Sequence, residues 1–390
     1  MPQAFHLDGV VQRYDWGGKL FIPELLGCAP DRQTSAELWL GIHPKGMARL
    51  RETGAPLDEF LAAQHYTLPF LLKVLDVRAS LSIQVHPDRD QAVAGFAREN
   101  ADGIPLDSPV RNYKDPNHKP EVMVAITPCV LLYGFSSVGE IAARCAPFAS
   151  LQALQSALQA RPLEAVYRQV MQATPDALDR LLAPLLREVL PRWRAGELSG
   201  EDHLFWLARA ASEHGAEDCR DPGLLALLMM NLVHVAPGEA IFQPARLPHA
   251  YLHGCNVELM ANSDNVVRAG LTGKHVDVPE LLKLTDPGVA VPVIEPRALD
   301  AGVSVYDSPA PEFRLYRAEI ASGESTLPGD GARLVLCMEG AVGLRGSGGR
   351  ALKAARGEAC FLSAADGPVT ASGPAAIFLA ASGLDRTGPA

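Results

Sequence analysis

The chain has 390 residues, 48% apolar and 21% charged, with a formal net charge of −10. This ordinary globular composition leaves room for two or three domains and a substantial core, while the acidic balance disfavours nucleic acid and anionic membranes as partners. Seven scattered cysteines without a C-x-x-C pair argue against a disulfide framework or a thiolate metal site; no basic segment with an apolar stretch opens the chain, so a cytoplasmic setting is expected.

From the start to about residue 137, short apolar runs separated by Gly, Pro and Asp predict strands. Lys73 is the lone charge in one of them, Phe70-Leu-Leu-Lys-Val-Leu75. It reads either as an edge lysine that snorkels or as a cation aimed at an anion. Leu81-Ser-Ile-Gln-Val-His-Pro87 predicts a strand closed by Pro87. Ser82, Gln84 and His86 would share one face, with Leu81, Ile83 and Val85 on the other. An imidazole and an amide side by side in an apolar strand are costly to bury without partners, whether hydrogen bonds or a metal ion. His118-Lys-Pro-Glu-Val-Met-Val124 predicts another strand, with Lys119, Glu121 and Met123 on one face.

Between Val138 and Asn231 the texture becomes rich in Ala, Leu, Gln, Arg and Glu, with apolar residues recurring at three and four. This predicts a helical block, with helix starts at Thr174-Pro-Asp and Ser199-Gly-Glu-Asp. The longest apolar run, 224–236, is interrupted by Asn231 and His234 and is too short to span a bilayer.

Strand texture returns at Val233, and His249 follows a Pro-bounded turn in Gln243-Pro-Ala-Arg-Leu-Pro-His-Ala-Tyr251. Gln84, His86, Glu121 and His249 would form an N₂O₂ set with one negative charge. Zinc suits such a set, with Mn, Co or Ni left open. Because these residues lie on both sides of the helices, a shared ion requires 138–231 to interrupt one β domain made of 1–137 and 232–295. Glu258 alternates with Val257 and Leu259, so it is paired with a cation, raised in pKa, or catalytic. Arg268 follows an Asn-rich turn and reads as a surface or capping residue, or as a permanent cation for an anion. From 296 to 390 short strands predict a second roll; His275 is the last histidine, so that roll carries no His-based metal site.

Several of these segments resemble type I phosphomannose isomerases. They are PFLLKVLDVRASLSIQVHPD (69–88), YKDPNHKPEVMVAITP (113–128), PARLPHAYLHG (244–254) and CNVELMANSDNVVRAGLTGK (255–274). YDWGG at 14 and AELWLGIHP at 36 are similar to the family's amino-terminal motifs. The resemblance implies a mainly β protein: two cupin-type jelly rolls (a bicupin) and an α-helical insertion. It also implies one zinc ion per chain and interconversion of mannose 6-phosphate and fructose 6-phosphate through a cis-enediol. Catalytic roles then fall to Arg268, Glu258 and Lys119, with Glu258 the candidate for proton transfer and Asp264, Lys119 and His253 its competitors. Trp16, Glu37, Lys73, Ser82, Asp264 and Lys274 are the implied substrate-side residues, with Lys73, Ser82 and Lys274 nearest the phosphate. His43 sits in a motif that supplies no ligand and is expected to be structural. His6, His65, His203 and His214 have no supporting neighbours. Arg89 and Thr272-Gly-Lys274 depart modestly from the family pattern. A monomer is expected. A non-catalytic sugar-phosphate-binding bicupin and a metal cupin oxygenase are the alternatives, the latter needing a His-rich triad with open positions.

Overall fold

The structure is a computed structural model, describing residues 4–289, 293–300, 302–329, 331–347 and 351–383. It is mainly β, with two large antiparallel sheets and a helical block. One sheet runs in the order Val293–Ile294, Ala240–Gln243, Glu121–Ala125, His249–Ala261, Phe70–Val77, Glu37–Leu40, Val10–Gln12. The alternation expected of strands is realised there. Leu75, Val77, Met123, Ala125 and Ile241 point to one interior. Leu72, Val74, Val122, Val124, Val257 and Leu259 point the other way. That second face packs on Phe313, Leu334, Leu336, Phe361 and Phe378 of the other sheet, forming one shared core.

Strand His249–Ala261 belongs to two layers. Its first residues pair with Cys129–Phe135 and Gln84–Val85, and the stretch from Gly254 pairs with Phe70–Val77 and Glu121–Ala125. Gly254 makes the corner at φ 108°, where a Cβ would lie 2.6 Å from the Cys129 sulfur. Strand Arg333–Gly346 repeats the device. Its early residues pair with Ala359–Leu362 and Ala375–Ser382, its late ones with Ala351–Ala355 and Val369–Ser372. Gly340 turns it at φ 69°, with the Pro374 carbonyl 2.3 Å from where a Cβ would stand.

Helices occupy the chain between strands Cys129–Phe135 and Met230–Val235, which pair with each other. Thr174 caps Pro175–Arg194, accepting from the Ala177 amide, with Pro at the first position. The other expected start, Ser199-Gly-Glu-Asp202, forms a turn whose last residue, Asp202, is the N-cap of helix His203–Glu213. The helices bury Ile83, Val85, Val130, Leu132, Leu252 and Val267, the outer face of the second layer. Among the described residues no helix is long and apolar enough to cross a membrane.

Two expectations are corrected. The strand predicted over 81–87 is reduced to Gln84–Val85, because the amides of Leu81 and Ile83 bond to different segments, at Tyr251 and Gly270. The alternation holds from Ile83 onward, with Ile83 and Val85 buried against the helices, whereas Leu81 lines the cleft beside Ser82 and Gln84 instead of joining them. In addition, Phe5–Asp8 pairs with Ala359–Leu362 and with Arg49–Leu50. Part of the 1–137 segment therefore completes the sheet of the carboxy-terminal strands.

Candidate metal centre and substrate cleft

Glu121 and His249, each at the start of a strand, and His86, immediately after strand Gln84–Val85, come together almost fully buried. His249 stands opposite Gln84 in register, and Glu121 stands opposite Gln243 and Met260. The His86 Nδ1 donates to the Asn265 carbonyl at 2.9 Å, and the His249 Nδ1 to the Leu247 carbonyl at 3.0 Å. A carbonyl only accepts, so both rings present a bare Nε2. Neither Nε2 has a hydrogen-bond partner among the described residues. Each lies 3.6 Å from Glu121 Oε2, too far for a hydrogen bond. An ion about 2.0–2.1 Å from each of two tetrahedrally disposed ligand atoms holds them about 3.4 Å apart. The buried donors thus fit a divalent ion, and Gln84 stands beside them, opposite His249 in register. Burial first, then Lys119, pushes the His86 imidazole down to about 4, keeping it a neutral donor.

Beside this trio opens a cleft of about 700 Å³. Gln84, Glu121, Lys119 and Glu258 line it, as do Trp16, Glu37 and Lys73 on neighbouring segments. Ser82, Asp264, Arg268 and Lys274 complete the expected set. The Lys119 ammonium donates to Glu121 Oε1. Lys73 is no edge lysine: it stands on a central strand directly opposite Glu258. Its ammonium lies 3.1 Å from Glu258 Oε1, 3.9 Å from Glu37 Oε2 and 5.3 Å from the Trp39 ring centroid. Burial alone would lower its pKa, but Glu37 and Glu258 raise it. Burial and the Glu121 charge raise the pKa of Glu258 against the pull of Lys73 and Lys119. A carboxyl raised in this way in a cleft suits proton transfer.

Arg268 and Lys274 have no carboxylate partner among the described residues, and burial lowers the pKa of both. Cations without a carboxylate partner, in a protein of net charge −10, can receive an anionic ligand. Trp16 stacks on Tyr14, ring centroids 5.8 Å apart.

His253 does not line the cleft; its side chain is exposed, beside Trp206. His43 does line it, donating to Asp264 across 3.0 Å. The Lys45 amide donates to His43 Nδ1, so the donated proton sits on Nε2. Sequence reasoning treated His43 as unconnected to the site, and no local pattern links residues 43 and 264. Tyr251 was also passed over, although it follows His249 by two residues on the same strand, a spacing that could have found it. His214, set aside for want of neighbours, and Glu213 reach the cleft from the end of their helix.

A mainly β protein with a buried bis-imidazole, carboxylate ion site, beside a cleft where Arg268 and Lys274 have no carboxylate partner among the described residues, belongs to the class of metal-dependent proteins that handle small anions. A family model described as phosphomannose isomerase type I, catalytic domain, matches residues 4–138. Mannose-6-phosphate isomerase of Salmonella typhimurium is 36% identical over 93% of this chain and 95% of its own. The Rattus norvegicus enzyme of that name is 32% identical over 87% and 88%. A crystal structure of zinc-bound mannose 6-phosphate isomerase aligns with TM-score 0.86 at 34% identity, covering 97% of this chain and 98% of that one. The chain belongs to the type I phosphomannose isomerase family.

Proposed function

We propose that the protein interconverts mannose 6-phosphate and fructose 6-phosphate, with zinc held by Gln84, His86, Glu121 and His249. The observation that carries this reading is the pair of Nε2 atoms facing Glu121 with no hydrogen-bond partner among the described residues, beside a cleft with two cations that have no carboxylate partner among them. The family's relatives carry the same activity in their names. The fold reading that goes with it is a bicupin. Residues 1–137 and 232–295 make the catalytic jelly roll, 138–231 an inserted helical domain, and 296–390 a second roll without a metal site. The two glycine-cornered strands support two rolls, with the exchange of Phe5–Asp8 noted above.

The chemical difficulty is an unacidic C–H beside a carbonyl. Zinc bound at this site would supply Lewis-acid polarisation of the sugar's carbonyl and hydroxyl oxygens. Glu258 takes the proton from one of C1 and C2 and returns it to the other, its pKa raised by burial and by the Glu121 charge. Lys73 holds that carboxylate in place and offsets its charge, while Glu37 in turn anchors Lys73. Arg268 stabilises negative charge on the enediolate without changing protonation. Lys274, with Ser82, holds the phosphate, and Lys119 orients Glu121. Trp16 and Asp264 bound the sugar.

Solvent-deuterium exchange into the sugar, measured with metal content before and after chelation, tests the reading. Exchange and isomerisation should vanish together with the zinc and return on its addition. Glu258→Gln should keep its zinc and lose at least about 10²-fold in turnover; wild-type turnover removes Glu258 from the proton-transfer role. A binding protein without catalysis would show no exchange at all.

A further inference from the structure

Both oxygens of the Glu258 carboxylate are held, and one of the holders is itself held from behind. Oε1 receives the Lys73 ammonium at 3.1 Å, and Oε2 accepts from the Tyr251 hydroxyl at 2.9 Å. The Tyr251 oxygen accepts in turn from Gln243 Nε2 at 2.5 Å. Tyr251 and Glu258 line the cleft; Gln243 does not, and is 0% exposed. It stands on strand Ala240–Gln243, opposite Glu121. Its Oε1 is buried with no hydrogen-bond partner among the described residues.

A buried amide satisfied on one side only is a costly way to fill core space, so its presence asks for a reason. A phenol can donate and accept at once, and its neighbours decide which it does. An ionised Glu258 can only accept, so the proton between the two oxygens belongs to Tyr251. Gln243 must then donate to the phenol oxygen, which fixes the amide orientation. A carbonyl in place of that N–H would compete with Glu258 for the Tyr251 proton.

We propose that Gln243 is a positioning residue for the proton transfer: its amide N–H aims the Tyr251 hydroxyl at Glu258 and so holds the carboxylate in its working rotamer. The remaining lone pairs of Glu258 are thereby left for the substrate. This deepens the reading of Glu258 as the acid–base group and rests on it.

The test is a double-mutant cycle of Gln243→Met and Tyr251→Phe, read in kcat, KM, zinc per chain and melting temperature. Gln243→Met should lower kcat about five- to tenfold, the weight of one lost hydrogen bond, with KM and zinc content unchanged. In the Tyr251→Phe background the same substitution should change kcat by less than about twofold, because the group it acts through is gone. A purely structural role would shift melting temperature without that coupling. Wild-type kcat in Gln243→Met, fully additive losses, or a loss that tracks missing zinc would each overturn the proposal. If Gln243→Met does not fold, Tyr251→Phe alone decides: wild-type kcat there removes the chain of donors. Failure of the underlying reading looks different, since Glu258→Gln would then turn over normally. An inactive Glu258→Gln with uncoupled Gln243 sinks this proposal alone.

Discussion

The imidazole of His249 is fixed at one nitrogen and bare at the other among the described residues. Its Nδ1 is fixed by Leu247, and its Nε2 faces Glu121 without a bond. His249→Ala should therefore lose metal and activity together, as elemental analysis of the purified variant against its turnover will read. Retained metal with retained activity would place the ion elsewhere. Asp264 makes a prediction about pH. Burial works against its charge, yet the hydrogen bond from His43, with Lys45 beyond, holds its pKa below the ordinary aspartate value. A lowered pKa contributes stability that is fully present above about pH 4 and fades as pH falls below it. Asp264→Asn, which can still accept from His43, should flatten the acid side of the stability curve in denaturant titrations from pH 6 to 3. An unchanged acid limb would show that the pair carries no such linkage.

At the scale of elements, the segment carrying Arg111, Asn112 and Lys114 to the cleft is fastened to helix Arg89–Ala101. The amides of Asn112 and Tyr113 donate to Glu99 at 3.1 and 2.9 Å, and the Tyr113 hydroxyl donates to Glu280 at 2.5 Å. Gly95 lies against the Tyr113 ring, where a Cβ would come within 2.4 Å of ring atoms. Alanine normally stabilises a helix interior relative to glycine by about 1 kcal/mol. Here the added methyl must displace a buried aromatic ring, at about 1–3 kcal/mol. Gly95→Ala should lower the melting temperature and raise KM, measured on the same preparation; a higher melting temperature would mean the ring yields freely. The helix itself was invisible as a clamp in the sequence. Its capping box at Asp88 and Gln91 is local, but its ties to Tyr113 and Glu280 join distant segments.

Across the whole molecule, the two large sheets share one apolar core, with Leu72, Val122 and Leu259 on one side and Phe313, Leu334 and Phe378 on the other. Phe313 is fully buried there. Phe313→Ala should cost about 3–5 kcal/mol, and calorimetry should show one transition moved as a unit. Two transitions, only one of them shifted, would show that the sheets unfold separately. What the sequence determined by itself is what residue chemistry and short-range periodicity carry. Gln84, Glu121 and Glu258 sit among alternating apolar neighbours, and the change from period two to period three or four announced the helices. Tertiary structure alone decided the partners: Lys73 against Glu258 at a separation of 185 residues, His43 against Asp264 at 221, Gln243 behind Tyr251, and Phe5–Asp8 in the far sheet. The physical reason is that alternation says which way a side chain points, whereas what it meets there depends on sheet order and register, set by burying both faces of the whole assembly at once.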